Sequence, residues 1–191
     1  MLGVGCFDVG PREKAYLNQV IESGYITSGP ILNKFESEFA KVHGVKHGLM
    51  VNSGTDALRI AIAALKELYN WQSGDEIIVP ALTFIATSNV VLQNDLAPVF
   101  VDVDPKTFNM DPEKLEERIG PLTRAIMPVH LFGLPCDMTP IMEIAEHHKL
   151  LVIEDSCESM GVTYQGRPVG SFGKVSCFST YAAHIIATGV G

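Results

Sequence analysis

Three polar side chains toward the end of the 191-residue sequence have types and spacing that could support cofactor chemistry. Residues 150–155 form an apolar run that ends in acid, which is typical of a buried parallel strand. Open α/β sheets bind ligands at the carboxyl ends of their strands, where the carboxylate of Asp155 could hold a cationic ring nitrogen. A second apolar-to-polar passage offers a hydroxyl at Ser179 and an imidazole at His184. These residues predict a cofactor-dependent enzyme in which His184 holds the most informative position.

A second candidate site lies where a short apolar stretch meets a predicted helix. Residues 48–51 predict a strand, Asn-Ser-Gly-Thr-Asp follows at 52–56, and a helical apolar face continues from Leu58. The free N–H groups and positive dipole end of a helix bind anions, and the hydroxyls of Ser53 and Thr55 would add donors. The alternative is that Ser53 or Thr55 only caps the helix. A Walker loop is excluded because Gly-Lys-Ser/Thr is missing.

The elements that must position these residues alternate between helices and short apolar strands. We predict helices over residues 11–22, 31–43, from the turn at 53–55 onward, 86–93, 111–119 and 141–148, and strands over 48–51, 76–80, 97–102, 125–130 and 150–155. This alternation predicts an α/β fold with a mostly parallel (mixed) sheet flanked by helices. Thr83 and His130 also fall at strand ends, and we interpret His130 as a hydrogen-bonded loop histidine and Glu154 as structural.

The composition argues against nucleic-acid and membrane proteins. Hydrophobic residues make up 47% of the chain and charged residues 19%, which is ordinary for a globular domain. The net charge of −8 disfavours non-specific binding to nucleic acid or to an anionic membrane surface. No apolar run is long enough to cross a bilayer and no secretory leader is recognisable, so we expect a cytoplasmic protein. The cysteines show no Cys-x-x-Cys spacing, and buried free thiols are expected at Cys6, Cys136, Cys157 and Cys177.

Six motifs occur in an order that resembles a known family. They are Ser-Gly-Tyr-Ile-Thr-Ser-Gly-Pro (23–30), Asn-Ser-Gly-Thr-Asp-Ala-Leu (52–58), Pro-Ala-Leu-Thr-Phe-Ile-Ala-Thr (80–87), His-Leu-Phe-Gly (130–133), Glu-Asp-Ser-Cys-Glu-Ser-Met-Gly (154–161) and Phe-Ser-Thr-Tyr-Ala-Ala-His (178–184). Together they resemble the DegT/StrS family of pyridoxal-phosphate (PLP) sugar aminotransferases and dehydratases. The resemblance covers the whole chain and implies the large domain of the aspartate aminotransferase-like, PLP-dependent transferase fold.

The resemblance also implies which residues bind the cofactor. The backbone and hydroxyls of Ser53, Gly54 and Thr55 would cradle the cofactor phosphate, in agreement with the helix-terminus argument. Ser179 would add a second phosphate contact. Phe84 would stack on the pyridine ring and remove one face of that ring from water.

Two acidic residues of the same motif would contact the ring itself. By resemblance, Asp155 would pair with the pyridine nitrogen and keep it protonated, which makes the ring an electron sink. Glu158 stands where the family's aminotransferases usually have glutamine near the ring hydroxyl. A carboxylate there would repel a phenolate unless it were protonated.

His184 is the largest departure from the aminotransferases of this family. It occupies the place of their Schiff-base lysine, and imidazole cannot form a stable Schiff base but can move protons near neutral pH. The family's sugar 3-dehydratases also have histidine here. The resemblance therefore implies a dehydratase (lyase) that uses pyridoxamine phosphate (PMP) to remove the C3 hydroxyl of a nucleotide-linked 4-keto-6-deoxyhexose in deoxysugar and lipopolysaccharide biosynthesis. Two alternatives stay open: a nucleotide-sugar aminotransferase, and a non-catalytic binding or regulatory relative.

Further expectations concern partners and chain length. Cys157 lies where the iron–sulfur-dependent dehydrases of this family have their first cluster cysteine, so a [2Fe-2S] cluster and a reductase partner are possible, although a buried free thiol is the favoured interpretation. The family's sites form between two subunits, so we expect a homodimer that binds a nucleotide sugar. Because the sequence stops inside the family's Thr-Gly-x-Gly-Gly motif, we expect residues 1–191 to be an incomplete large domain that lacks the small C-terminal domain.

Overall fold

A five-stranded, wholly parallel sheet forms the centre of the computed structural model, which describes residues 9–188. Its strands lie in the order β2-β1-β3-β4-β7, and a separate two-stranded antiparallel hairpin joins β5 to β6. The bounds are Glu76–Pro80 for β1, Ala97–Val101 for β2, Thr123–Ile126 for β3, Leu151–Asp155 for β4, Thr163–Tyr164 for β5, Arg167–Pro168 for β6 and Val175–Cys177 for β7. The predicted α/β class with a mostly parallel sheet is confirmed.

Five α-helices accompany this sheet within residues 9–188. They are α1 at Pro11–Ser23, α2 at Pro30–Val42, α3 at Gly54–Leu68, α4 at Ile85–Leu92 and α5 at Met138–His148, and short 3₁₀ turns occur at Pro112–Lys114, Glu116–Arg118 and Leu131–Gly133. α1 and α2 each have proline in the first turn, where its missing N–H is not needed. α3 begins at Gly54 because the Ser53 side chain accepts a hydrogen bond from the N–H of Asp56.

Both faces of the sheet are covered by helices, as the unbroken apolar strands predict. One cluster of buried side chains packs α3 and α4 against the face that presents Ile77 and Val79. The other packs α5 against the face that presents Ile78. Because alternate residues of β1 enter opposite clusters, the sheet separates two cores.

Two predicted elements are wrong. Residues 48–51 form no strand; the N–H of Met50 instead donates to Glu36 Oε1 at 2.8 Å, which ties this segment to α2. Residues 111–119 form two 3₁₀ turns rather than a helix, and only Leu115 in this stretch is buried. A single buried side chain supplies little of the packing that stabilises a regular helix.

Other predictions differ from the structure in their ends or lie outside it. β3 is observed at Thr123–Ile126 rather than at residues 125–130, and Val129 keeps only an isolated bridge to Asp155. α5 begins before the predicted residue 141. Cys6 and most of the terminal Thr-Gly-x-Gly-Gly motif lie outside the described residues. None of the described helices is both long enough and apolar enough to cross a bilayer.

His43 connects α2 to the segment that enters the candidate site. Its ring is buried between Phe39 and Phe178, with centroid distances of 4.6 and 4.2 Å, and Nδ1 donates to the carbonyl of Val169 at 3.3 Å. Nε2 has no hydrogen-bond partner among the described residues. Burial lowers the pKa of His43 below its ordinary value of 6.5, so the folded protein favours the neutral imidazole.

We therefore expect His43 to make stability depend on pH. The unfolded chain binds this proton below about pH 6.5 and the folded chain binds it only at lower pH, so the free energy of unfolding decreases as pH falls from 7 to 5.5, by at most about 1.4 kcal/mol per pH unit. Urea unfolding at several pH values should show this slope, and His43→Gln should reduce it. His47→Gln alters an exposed imidazole nearby and should keep the slope. An unchanged slope in His43→Gln would contradict the assignment.

Candidate active site

Asp155 ends β4 with a carboxylate that is only 4% exposed at the carboxyl edge of the sheet. Its Oδ2 accepts a hydrogen bond from the Thr87 hydroxyl at 2.9 Å, and its Oδ1 accepts one from the N–H of Cys157 at 3.3 Å. Burial raises the pKa of the Asp155 carboxyl, and the hydrogen bonds from Cys157 and Thr87 act in the opposite direction. A carboxylate fixed in this way is a suitable acceptor for a cationic ring nitrogen.

Glu154, the preceding residue, holds a loop in place instead of facing a ligand. It is fully buried, and its carboxylate accepts a hydrogen bond from His130 Nε2 at 3.2 Å. His130 Nδ1 accepts from the N–H of Cys136 at 3.0 Å, so Nε2 carries the proton. Three backbone N–H groups complete the set at 2.6–2.7 Å, those of Gly170, Phe172 and Gly173. The structure thus agrees with a structural Glu154 and a hydrogen-bonded His130.

Gly54 lies at a close approach between α3 and two other segments of the site. A Cβ at this position would be 2.8 Å from Cβ of Ser179 and 3.0 Å from Sγ of Cys157, so only glycine fits without displacing them. Ser53 Oγ accepts from the N–H of Asp56 at 3.1 Å, which is the capping role left open above. The first turn of α3 still presents N–H groups that the helix itself does not use.

The start of α4 brings Phe84 and two threonine hydroxyls toward the same edge. Phe84 is the N-cap residue of α4, and its ring is 70% exposed. The hydroxyl of Thr83 lies 2.8 Å from that of Thr87, which contacts Asp155. The exposed ring of Phe84 therefore belongs to the same turn that contacts the buried carboxylate.

Glu158 lies in the turn after β4, where it binds backbone. Its Oε2 accepts a hydrogen bond from the N–H of Phe132 at 2.7 Å. Phe132 has a left-handed backbone with φ of 53° and an exposed side chain. One carboxylate oxygen of Glu158 is thus engaged with the 131–133 turn, and its predicted contact with a ring hydroxyl remains a prediction.

His184 lies in a loop that begins after Ser179 and is closed at its base by two threonines. The hydroxyls of Thr180 and Thr188 are 2.7 Å apart, and the N–H of Thr188 donates to the carbonyl of Thr180 at 3.1 Å. The N–H of His184 donates to the carbonyl of Tyr181 at 2.8 Å, and the two rings meet edge to face. Nδ1 of His184 is buried without a hydrogen-bond partner among residues 9–188.

Cys157 lies beside the candidate site, in surroundings that favour its protonated thiol over the thiolate that a metal would need. Its Sγ is 4.0 Å from the carbonyl oxygen of Cys177, and burial together with the nearby Asp155 carboxylate raises the pKa of the thiol. Within residues 9–188, no three histidine, cysteine or acidic side chains come together as a metal site. The family resemblance places the remaining cluster ligands beyond residue 191, so the iron–sulfur cluster remains a prediction.

The structure therefore links most of the predicted cofactor residues through direct neighbours. Gly54 meets Ser179 and Cys157, and Cys157 binds Asp155. Within residues 9–188, neither Phe84 nor His184 forms a hydrogen bond with Asp155. Thr87 was missed by the sequence analysis, although its spacing of four residues from Thr83 at a helix start was a usable signal.

This arrangement fits a phosphorylated pyridine cofactor. A glycine-lined helix start supplies anion-binding N–H groups, and the hydroxyl of Ser179 lies beside it. A buried carboxylate at the end of β4 can accept a ring N–H, and the exposed face of Phe84 can cover an aromatic ring. Because Gly54 has no side chain, the backbone at the start of α3 lies directly against the side chains of Ser179 and Cys157.

Comparisons with known proteins agree with this geometry. The chain is 47% identical over 181 residues, 94% of its length, to a GDP-perosamine synthase of Caulobacter vibrioides, of which it covers 48%. It superposes with a TM-score of 0.92 and 35% identity on an E. coli GDP-4-keto-6-deoxy-D-mannose-3-dehydratase with bound hydrated PLP, covering 98% of this chain and 49% of that one. An aminotransferase from Psychrobacter cryohalolentis matches with a TM-score of 0.88 and 38% identity, over 96% of this chain and 46% of that one.

These similarities confirm the fold that the motifs implied, and the chain spans about half the length of the curated relatives that it matches. The family match itself extends over residues 8–191. The chain therefore belongs to the DegT/DnrJ/EryC1/StrS aminotransferase family.

Proposed function

We propose that this chain is part of a PLP/PMP-dependent 3-dehydratase that acts on a nucleotide-linked 4-keto-6-deoxyhexose. The observation that carries the proposal is His184, which stands where the family resemblance places the Schiff-base lysine. Residues 175–191, which include β7 and the loop after it, contain no lysine. Lys174 precedes β7, at the opposite edge of the sheet from Asp155. A 3-dehydratase among the solved relatives supports this assignment.

Different residues described above would bind different parts of the cofactor. The first turn of α3, with Ser53, Gly54 and Thr55, and the hydroxyl of Ser179 would bind the phosphate. Asp155 would accept the ring N–H, and Phe84 would cover one ring face. When bound, the cofactor supplies a protonated pyridine ring that accepts electrons from the substrate.

His184 supplies the proton transfer. We assign the step to the imidazole of His184, whose Nδ1 is buried and has no hydrogen-bond partner among the described residues. An imidazole changes its protonation near neutral pH, so it can accept a proton during the reaction and return it later. Two contacts hold the loop that carries His184. The His184 N–H donates to the carbonyl of Tyr181, and the hydroxyls of Thr180 and Thr188 meet where the loop begins and ends.

The second candidate function is a nucleotide-sugar aminotransferase. The family description and the GDP-perosamine synthase similarity favour it, and the catalytic lysine would then come from elsewhere in the protein. A non-catalytic relative is the third candidate. It would bind cofactor or nucleotide sugar without turnover.

We also propose a cytoplasmic homodimer that binds a nucleotide sugar. The support is the set of large apolar side chains that remain exposed beside the site: Phe84, Ile85, Phe132, Tyr181 and Ile185. Large apolar side chains that stay exposed near a site often belong to an interaction surface.

The dehydratase proposal predicts a specific effect of His184→Asn. Because asparagine cannot take up a proton at neutral pH, loss of the C3 hydroxyl from a nucleotide 4-keto-6-deoxyhexose should slow by about 10²-fold or more, with PMP affinity nearly unchanged. Mass spectrometry of the full-length protein's reaction measures the product. His147→Asn, an exposed histidine of α5, is the control. No loss of the hydroxyl by the unaltered protein refutes dehydration, and an unaffected His184→Asn variant excludes His184 from catalysis.

Borohydride reduction separates the dehydratase from the aminotransferase. We expect no pyridoxyl-lysine adduct after the unaltered full-length protein is loaded with PLP and reduced. His184→Lys restores an amine at this loop position and should yield an adduct on the peptide that contains residue 184. Peptide mass spectrometry reads both results. An adduct on another lysine of the unaltered protein would favour the aminotransferase.

Gly54→Ala should weaken binding at the phosphate end of the cofactor. The added methyl group would meet Ser179 and Cys157 at 2.8 and 3.0 Å, so these residues must shift. We expect the dissociation constant of PMP to rise at least about tenfold, which corresponds to about 1.4 kcal/mol. Gly120→Ala is the matched control, because its Cβ would lie no closer than 3.5 Å to its neighbours. Equal PMP affinity for the two variants would argue against a cofactor phosphate at Gly54.

A further inference from the structure

We propose that Thr87 is a positioning residue for the cofactor: its hydroxyl holds the Asp155 carboxylate in the orientation that receives the ring nitrogen, and Thr83 orients Thr87 in turn. The inference rests on the proposed cofactor site and deepens it. It concerns a hydroxyl that the family motifs did not assign. The support comes from the direction of the hydrogen bonds among Thr83, Thr87 and Asp155 and from the position of the two threonines at the start of α4.

The direction of each hydrogen bond follows from the number of protons available. Asp155 Oδ2 lies 2.9 Å from Thr87 Oγ1, and an ionised carboxylate can only accept. The single hydroxyl proton of Thr87 must therefore point to Asp155. The Thr83 hydroxyl, 2.8 Å from Thr87 Oγ1, must then donate to Thr87. The result is a one-way chain from Thr83 to Thr87 to Asp155, in which each bond polarises the next.

The hydrogen bond from Thr87 to Asp155 is shielded from water. Thr87 is fully buried and Asp155 nearly so, so water cannot replace the hydroxyl if it is removed. The N–H of Cys157 engages the other oxygen of Asp155. The Cys157 thiol also contacts this carboxylate. Donors on both oxygens fix the carboxylate plane, and the carboxylate still has acceptor capacity for a further donor. A ring N–H is a donor of the right kind.

The same helical turn also connects this chain to the ring-stacking candidate. Phe84 lies between the two threonines in sequence, and its carbonyl accepts from the N–H of Thr87 at 3.1 Å. Thr83 and Thr87 are four residues apart and so share one side of the turn. A displacement of Thr87 would therefore move the support of the ring nitrogen and the support of the ring face together.

The test compares two substitutions of Thr87 in the full-length protein. Thr87→Val keeps the shape and removes the hydroxyl, whereas Thr87→Ser keeps the hydroxyl and removes a methyl group. We expect Thr87→Val to raise the dissociation constant of PMP about tenfold and to weaken the circular dichroism band that PLP acquires when it is fixed in a chiral site. Thr87→Ser should stay close to the unaltered protein in both measurements.

A neighbouring serine of α4 provides the control for this test. Ser88→Ala removes a hydroxyl from the same helix that donates only to the carbonyl of Ile85, and it should change neither measurement. Equal impairment of Thr87→Val and Thr87→Ser would assign Thr87 to packing and overturn the inference. Normal binding by Thr87→Val would do the same and leave the proposed function standing. Failure of the unaltered protein to bind PLP or PMP would overturn both.

Discussion

The buried carboxylate of Glu154 is the interaction on which the rest of the site depends. Three backbone N–H groups and the imidazole of His130 surround it, and a buried charge is stable only when it is satisfied in this way. These contacts hold the loop at residues 170–173 against the end of β4. Because that loop leads directly into β7, the anchor sets where the chain re-enters the sheet beside Asp155. The next residue in the strand is then free to face a ligand.

Parallel topology explains why segments far apart in sequence meet at one edge. β4 pairs with β7 so that Asp155 lies opposite Cys177, and Ser179 follows two residues later. α3 packs against the sheet in the same cluster of buried side chains as Cys177, and its first turn lies against Ser179. α4 delivers Thr87 to Asp155 from a position 68 residues earlier in the chain. The start of α3, the end of β4 and the segment after β7 thus meet at one edge of the sheet.

The sequence predicted those parts that depend on local pattern and burial. β1 and the end of β4 match their predicted positions, since strands buried on both faces leave an unbroken apolar signature. α3 begins where Ser53 and Gly54 indicated, because an N-cap is a local signal. These are also the elements that carry Gly54 and Asp155. The positions of these two residues in the fold could therefore be predicted from the sequence, and their roles toward a cofactor phosphate and a ring nitrogen remain predictions.

The predictions that failed concern features that depend on contacts between segments distant in the sequence. Residues 48–51 read as a strand, but their backbone bonds to Glu36 of α2, a contact that no local pattern shows. The role of Thr87 depends on Asp155, and the engagement of Glu158 depends on Phe132 in a left-handed conformation that bulky residues rarely adopt. Each of these contacts joins distant segments. The spacing of Thr83 and Thr87 shows that the two hydroxyls can meet, but it does not show that Thr87 contacts Asp155.

The proposed function would separate the residues that anchor the cofactor from the residue that selects the reaction. The anchoring groups lie on the ends of β4, α3 and α4, which are fixed by two cores and by the Glu154 contacts. His184 lies on the loop after Ser179, where its N–H donates to the carbonyl of Tyr181 and the hydroxyls of Thr180 and Thr188 meet. Under the proposed function, exchange of an amine for an imidazole on that loop would leave the ring-nitrogen support untouched and would change only which proton transfers are available. The same fold could then serve aminotransferases and dehydratases, because the residue that would distinguish them lies outside the framework that would bind the ring.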